Sequence, residues 1–236
     1  MKRTLRLMLA AAALSGCSGA ATERAPASPF PNADRPVAEI VSNQWASETM
    51  RDRAGENAQI VRALGIRSGM TVADIGAGSG YHTVRLSEVV EPTGRVLAVD
   101  VSAPYLEQLR ERVDKAGLTN VTTILGRPDD PRLPPRSTDV ALMVHMYHEI
   151  ESPYAMLYHL APALKPGGRL AVVDLDRPTE QHGTPPALLR CELAAVGWRQ
   201  VSITLLSGDV GYLAVFEPME RPAPASIRPC PNRIRR

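Results

Sequence analysis

"VADIGAGSGYHTVRL", residues 72–86, decides the fold. An apolar run passes through Asp74 and Ile75, Gly76, Gly78 and Gly80 follow at alternate positions, and a helical pattern then resumes. Short apolar runs of this kind form strands buried on both faces of a parallel sheet. Glycine lets the chain turn sharply into the next helix while leaving backbone N–H groups bare for a ligand. Three glycines so close together destabilise a loop unless something binds there, and Asp74 stands two residues ahead of the first.

The alternation of strand and helix continues on both sides. Upstream, "SETMRDRAGENAQIVRALG" predicts one helix carrying Ala54, Ala58, Val61 and Leu64 at helical spacing. Downstream, "RVLAVD" (95–100), "VTTIL" (121–125), "DVALMVH" (139–145) and "RLAVVD" (169–174) read as further buried strands. Ser102 caps the helix after the second strand, and Gly117 ends it. Ser152 and Pro153 begin another helix, and "TPPALLRCELAAVG" a further one. "RQVSITLL" and "GYLAVFE" are joined by "SGDV", too short for a parallel crossover, so they pair as an antiparallel hairpin. The expected class is α/β: a doubly wound, mostly parallel seven-stranded sheet with an antiparallel C-terminal hairpin.

The glycine loop discriminates between ligands. A dinucleotide fingerprint needs glycine or alanine where this chain has the large Tyr81. A pyrophosphate is doubly anionic, and Asp74 would repel it. A ligand with a cationic end removes both objections, and the amino and sulfonium groups of S-adenosylmethionine are such an end. Asp100, at the tip of the second strand, suits a carboxylate accepting hydrogen bonds from both ribose hydroxyls.

"VADIGAGSG", "VLAVD", "LKPGG" before the fifth strand and the terminal hairpin together resemble the class I S-adenosylmethionine-dependent methyltransferases. The resemblance covers residues 48–217. It implies that Asp74, Gly76, Ala77, Gly78 and Gly80 line the methionine end of the cofactor. It likewise implies that Asp100 and Val101 hold the ribose and that Asp129 lies near the adenine. Many amino-methylating relatives carry an Asn-Pro-Pro-Tyr-like stretch after the fourth strand. Here "HMYHEI" (145–150) stands instead, which argues against nucleic-acid or glutamine amine acceptors.

That stretch supplies the candidate catalytic groups: His145 as base, Tyr147 lining the acceptor pocket, and His148. Glu149 lies beside them, and Asp174, Asp176 and His182 follow the fifth strand. His145, His148 and Glu149 are residue types that ligate zinc, but "HMYHE" lacks a helical i, i+4 ligand pair, so no metal site is expected. His82 reads as a helix-surface residue, and Arg51 and Arg53 as a solvated charged face, with an acceptor anion as the other reading.

The two ends differ from the middle. "MKRTLR", a short apolar run and "LSGC" resemble a bacterial lipoprotein signal over residues 1–17. Cys17 would carry the lipid and tether the protein to a membrane of the cell envelope, facing the periplasm. Residues 18–47 read as a flexible linker and lead-in. Residues 218–236, with five arginines against one glutamate and many prolines, read as a disordered tail. The net charge of +2 gives no nucleic-acid footprint. Cys191 reads as a small core residue, with a Cys191–Cys230 bridge possible in an oxidising compartment but not demanded by the spacing. The expected function is in-line methyl transfer from S-adenosylmethionine to a small-molecule acceptor. The alternative is a membrane-tethered, catalytically silent nucleoside-binding module of the same fold.

Overall fold

The computed structural model describes residues 28–40 and 47–231. The proposed signal segment and Cys17 lie outside the described residues, as do 18–27, 41–46 and 232–236. Seven strands form one sheet: β1 (Thr71–Ile75), β2 (Arg95–Asp100), β3 (Val121–Leu125), β4 (Thr138–Val144), β5 (Leu164–Asp174), β6 (Trp198–Leu206) and β7 (Gly211–Pro218). Their spatial order is β3-β2-β1-β4-β5-β7-β6. The pairs β1–β2, β1–β4, β2–β3 and β4–β5 are parallel, whereas β7 runs antiparallel to both β5 and β6. The expected sheet, hairpin included, is present.

Strand side chains alternate between two packed layers. Val72, Val96, Val140 and Leu142 face α2 (Glu56–Leu64) and α3 (Tyr81–Val90) through Ile60, Leu64, Leu86 and Val90. Ala98 on that face meets Leu109 and Val113 of α4 (Ala103–Lys115). Ala73, Leu97, Ala141 and Leu170 face α5 (Pro153–Leu160) and α6 (Pro186–Ala195) through Leu157, Leu160, Leu189 and Leu193. Strand order reverses between β1 and β4, which opens a crevice beyond their carboxyl ends.

The single helix expected before β1 is two. α1 (Glu48–Arg53) stops at Ala54, and Gly55, with φ 64°, turns the chain into α2. The break rotates the apolar stripe, so that α2 buries Glu56, Ile60 and Leu64. α1 buries nothing and is held by charge instead, Arg85 and Arg112 pairing with Asp52 and Glu48.

Both ends of the domain are better ordered than their composition implied. Arg35, in the segment read as a flexible linker, is buried and paired with Glu192. At the other end Ile227 and Cys230 are buried, and Cys230 is bonded to Cys191, so the tail packs as far as residue 231. Cys191 is therefore not a core residue; it sits on the exposed face of α6, bridged to the incoming tail. Among the described residues, no helix is long and apolar enough to cross a membrane.

Candidate active site

A cavity of about 500 Å3 occupies the crevice, a volume typical of small-molecule sites. Its two halves follow from the strand order. The ends of β1 and β2 contribute Asp74, Gly76, Ala77, Gly78, Asp100 and Val101, and the loop after β3 adds Arg127 and Pro128. The ends of β4 and β5 contribute His145, Met146, His148, Glu149, Leu175 and His182.

The glycine loop is fixed by backbone bonds. Gly76 and Ala77 both donate to the Val99 carbonyl, at 2.8 and 3.0 Å. Gly76 has φ 74°, and a Cβ there would come within 2.8 Å of the Met146 side chain. That contact is the seam between the two halves of the cavity. Gly80 has a different task from the one the resemblance implied. It caps α3 in a left-handed conformation against Leu109 and lies outside the cavity lining.

The two loop carboxylates differ. Asp74 is buried and accepts from Thr83 Oγ1 at 2.6 Å. Burial raises its pKa, only partly offset by His82 and the Thr83 hydroxyl. Asp100 accepts from Gly78 N and Ser102 N, both at 2.8 Å. Burial raises it too, against the pull of those backbone donors. Asp100 is thus a brace for the loop as well as a carboxylate on the cavity wall. Beyond β3 the cavity meets Arg127 and Pro128 rather than Asp129. Asp129 turns toward Arg127, and its carbonyl lies 2.7 Å from His159 Nδ1, so it is not the adenine contact.

His82, expected on the surface, is buried. Its Nε2 lies 3.0 Å from Glu56 Oε1 and 2.7 Å from Arg51 Nη2, while Nδ1 lies 3.1 Å from Asn57 Oδ1. Burial acts to raise the Glu56 carboxyl, yet His82 and then Arg51 hold it to about 2. Arg51 is therefore no solvated charge: it lines the cavity and stacks 3.8 Å over the Tyr81 ring. Arg53 is exposed and does not line the cavity.

On the other half, His145 takes a left-handed backbone, φ 52°, as β4 ends. Burial pushes its imidazole below 6.5, and Glu56, 3.9 Å from Nε2, pulls the other way. The downward shift favours the neutral ring, the form with a lone pair to receive a proton. Tyr147 does not line the acceptor space. It is fully buried, and its hydroxyl donates to Glu192 at 2.8 Å. His148 is 2% exposed, with Nδ1 at 3.1 Å from both oxygens of Asp174. His182, a further candidate base from the sequence, is carried by the loop after β5 to His148, the rings 5.4 Å apart and edge-on.

A seven-stranded Rossmann-like sheet with a glycine loop and strand-tip carboxylates at its switch point is the methyltransferase fold. Residues 72–168 match a family model described as a methyltransferase domain. The structure resembles that of a SAM-dependent methyltransferase from Aquifex aeolicus, with TM-score 0.63 and 25% identity, over 70% of this chain and 89% of that one. It shares the fold of the [4+2]-cyclase SpnF, with TM-score 0.61 and 18% identity, over 77% of this chain and 70% of that one. In sequence, the ubiquinone/menaquinone biosynthesis C-methyltransferase UbiE of Pseudomonas savastanoi is 30% identical over 122 residues, 51% of this chain and 48% of that protein. A demethylmenaquinone methyltransferase of Listeria welshimeri is 27% identical over 135 residues, 57% and 52% of the two chains. The chain thus spans about half the length of the curated relatives it matches.

The cofactor of such a domain is S-adenosylmethionine, and the residues present fit it. A buried carboxylate, Asp74, faces the cavity beside a loop where a Cβ at Gly76 would clash. The carboxylate favours a cationic ligand end, and the glycine lets the loop pass close to Met146 on the opposite wall.

Proposed function

We propose that this protein transfers a methyl group from S-adenosylmethionine to an apolar, oxygen-bearing aromatic acceptor of the quinol class. One observation carries the reading: His145 shares a cavity with Asp74 and the glycine loop, and Gly76 meets Met146 at the seam. Beside its polar groups, the acceptor half presents the apolar side chains of Ile40, Met146, Ile150, Met156, Leu175 and Val210. That apolar lining and the printed names of the curated relatives support a quinol.

When bound, the cofactor supplies a methyl carbon activated by a sulfonium. Asp74 holds the cationic end, and Asp100 holds the ribose while bracing the loop. Most of the rate advantage then comes from alignment at near-attack distance. The His145 imidazole takes the acceptor's hydroxyl proton, which raises electron density on the oxygen and the adjoining ring carbons.

The protein acts in an oxidising compartment on this reading, tethered through Cys17. The Cys191–Cys230 bond supports export, since such bonds persist outside the reducing cytosol. Mass spectrometry of the N-terminal peptide tests the lipid; an unmodified Cys17 in membrane fractions would exclude the tether. The reaction is tested by release of S-adenosylhomocysteine with a panel of demethylated quinols, phenols and amines. Turnover confined to amines would overturn the quinol assignment.

A further inference from the structure

We propose that His148, Glu149 and His182 form a site for one divalent transition-metal ion at the acceptor end of the cavity. Each offers a ligand atom, and the three atoms lie within 4.8 Å of one another. All three residues line the cavity. The sequence hid the site because its members come from different places. His148 and Glu149 sit in a short 3-10 turn after β4, and His182 stands at the end of a second such turn after β5.

The supporting residues are arranged as a metal site requires. A metal-bound histidine normally passes its other ring N–H to a carboxylate, which fixes the tautomer and the ring plane. His148 Nδ1 lies 3.1 Å from both oxygens of Asp174, the placement this arrangement calls for, so Nε2 is the ring nitrogen that would meet the ion. Asp174 is itself wholly buried and saturated: Leu175 N donates to Oδ1 at 2.8 Å, and Thr184 Oγ1 donates to Oδ2 at 2.7 Å. Burying a carboxylate costs several kcal/mol (about that order in real interiors), so its use to aim one imidazole asks for a return at that imidazole.

The loop that delivers His182 is equally constrained. Arg177 N and Thr184 N both donate to the Leu175 carbonyl, at 3.0 and 2.8 Å, folding residues 175–184 back on themselves. His182 takes a left-handed backbone, φ 56°, and a Cβ on the following Gly183 would meet the Leu175 carbonyl at 2.6 Å. Strain of this kind persists where surrounding structure over-determines it, commonly at functional sites.

Two imidazoles and a carboxylate with further positions open are a donor set for Zn2+ or Fe2+ rather than Mg2+ or Ca2+. Ligand bonds of roughly 2.1 Å would draw the three atoms to roughly 3.4 Å apart, a closure within reach of side-chain rotation. An open position would face the cavity and take the acceptor's oxygen. This role rests on the methyl-transfer reading above; metal binding itself does not. The metal–oxygen bond would lower the hydroxyl pKa, the proton would leave to His145, and Arg177 on the cavity wall would face the resulting anion.

The test is equilibrium dialysis of the full chain against Zn2+, followed by elemental analysis, with S-adenosylmethionine affinity measured separately by calorimetry. One zinc per chain is expected, with affinity at least tenfold weaker in His182→Ala and in Glu149→Gln, and S-adenosylmethionine affinity within twofold. Asp174→Asn, which acts through His148, should weaken zinc ten- to a hundredfold. Absence of zinc in the unmutated chain, or zinc retained equally by both ligand variants, would overturn the site. Where a variant does not fold, the unmutated chain loaded with cobalt(II) decides: intense visible bands support a low-coordinate protein site, and the weak spectrum of the hydrated ion rejects it. If zinc binds as expected but S-adenosylmethionine does not, the metal site stands and the methyl-transfer reading fails.

Discussion

Arg35 and Glu192, 157 residues apart in sequence, form a wholly buried ion pair with Nε 3.0 Å from Oε1. The same guanidinium donates to the carbonyls of Tyr147, His148 and Ile150, each at 3.3 Å. Ala38 N adds a bond to the His148 carbonyl, and the Pro36 carbonyl accepts from Thr179. The segment 35–38 therefore underpins both turns that face the acceptor. Removing one partner of such a pair strands the other charge away from water. Arg35→Ala is expected to lower stability by about 3–5 kcal/mol, read from urea unfolding. A loss below about 1 kcal/mol, the scale of an exposed pair, would show that the pair is not buried in solution.

Asp100→Ala removes both the proposed ribose contact and the acceptor for Gly78 N and Ser102 N. Charge-assisted hydrogen bonds contribute about 1.5–3 kcal/mol each, so S-adenosylmethionine affinity should fall more than tenfold in calorimetry. Unchanged affinity would defeat the ribose assignment.

Cofactor binding should also depend on pH through Asp74. Its pKa is raised above 3.8 by burial, and a cationic ligand binds the ionised form. Affinity should therefore be full above the raised pKa and decline as pH falls through it. Thr83, His82, Arg51 and Asp100 also act on this group, so the control is Asp74→Asn, which should bind weakly and show a flattened profile. A wild-type profile that coincides with that of Asp74→Asn would remove Asp74 from the cationic end.

For His145, asparagine is the informative replacement, because it tolerates the left-handed backbone that alanine resists. His145→Asn should reduce kcat by about 10²–10⁴ with S-adenosylmethionine affinity within twofold. In the wild type, burial favours the neutral imidazole, so the acid limb of the kcat profile should lie below pH 6.5. An acid limb above that value would point to a different base.

The Cys191–Cys230 bond closes a span of 39 residues that includes the β6–β7 hairpin. In the chain-entropy account a loop of that length contributes about 4 kcal/mol. Treatment with a reducing agent should therefore lower the unfolding midpoint, and Cys191→Ser with Cys230→Ser should reproduce the effect. Coincident unfolding curves with and without reductant would show that the bond does not form.

Local pattern was enough for the sheet. Apolar runs, glycines and the four-residue link before β7 are signals within ten or so residues of the element they define. They also singled out Asp74, Gly76, Gly78 and Asp100, which the topology brings to the wall of one cavity. The acceptor half was less legible because its geometry depends on distant partners. Tyr147 is drawn into the core by Glu192, 45 residues on, and His82 is buried by Glu56 and Asn57 across two helices. His182 becomes significant only once β5 lies beside β4. Arg35 and Cys230 stood in proline-rich stretches whose composition favours disorder. Long-range bonds outweighed it, among them one from each to adjacent positions on α6.

That shared mooring bears on how the protein is made. Helix α6 takes Arg35 through Glu192 and Cys230 through Cys191, so its final environment is incomplete until residue 230 has emerged from the ribosome. Until then α6 should stay open to proteolysis, and oxidation of the two thiols should close that window.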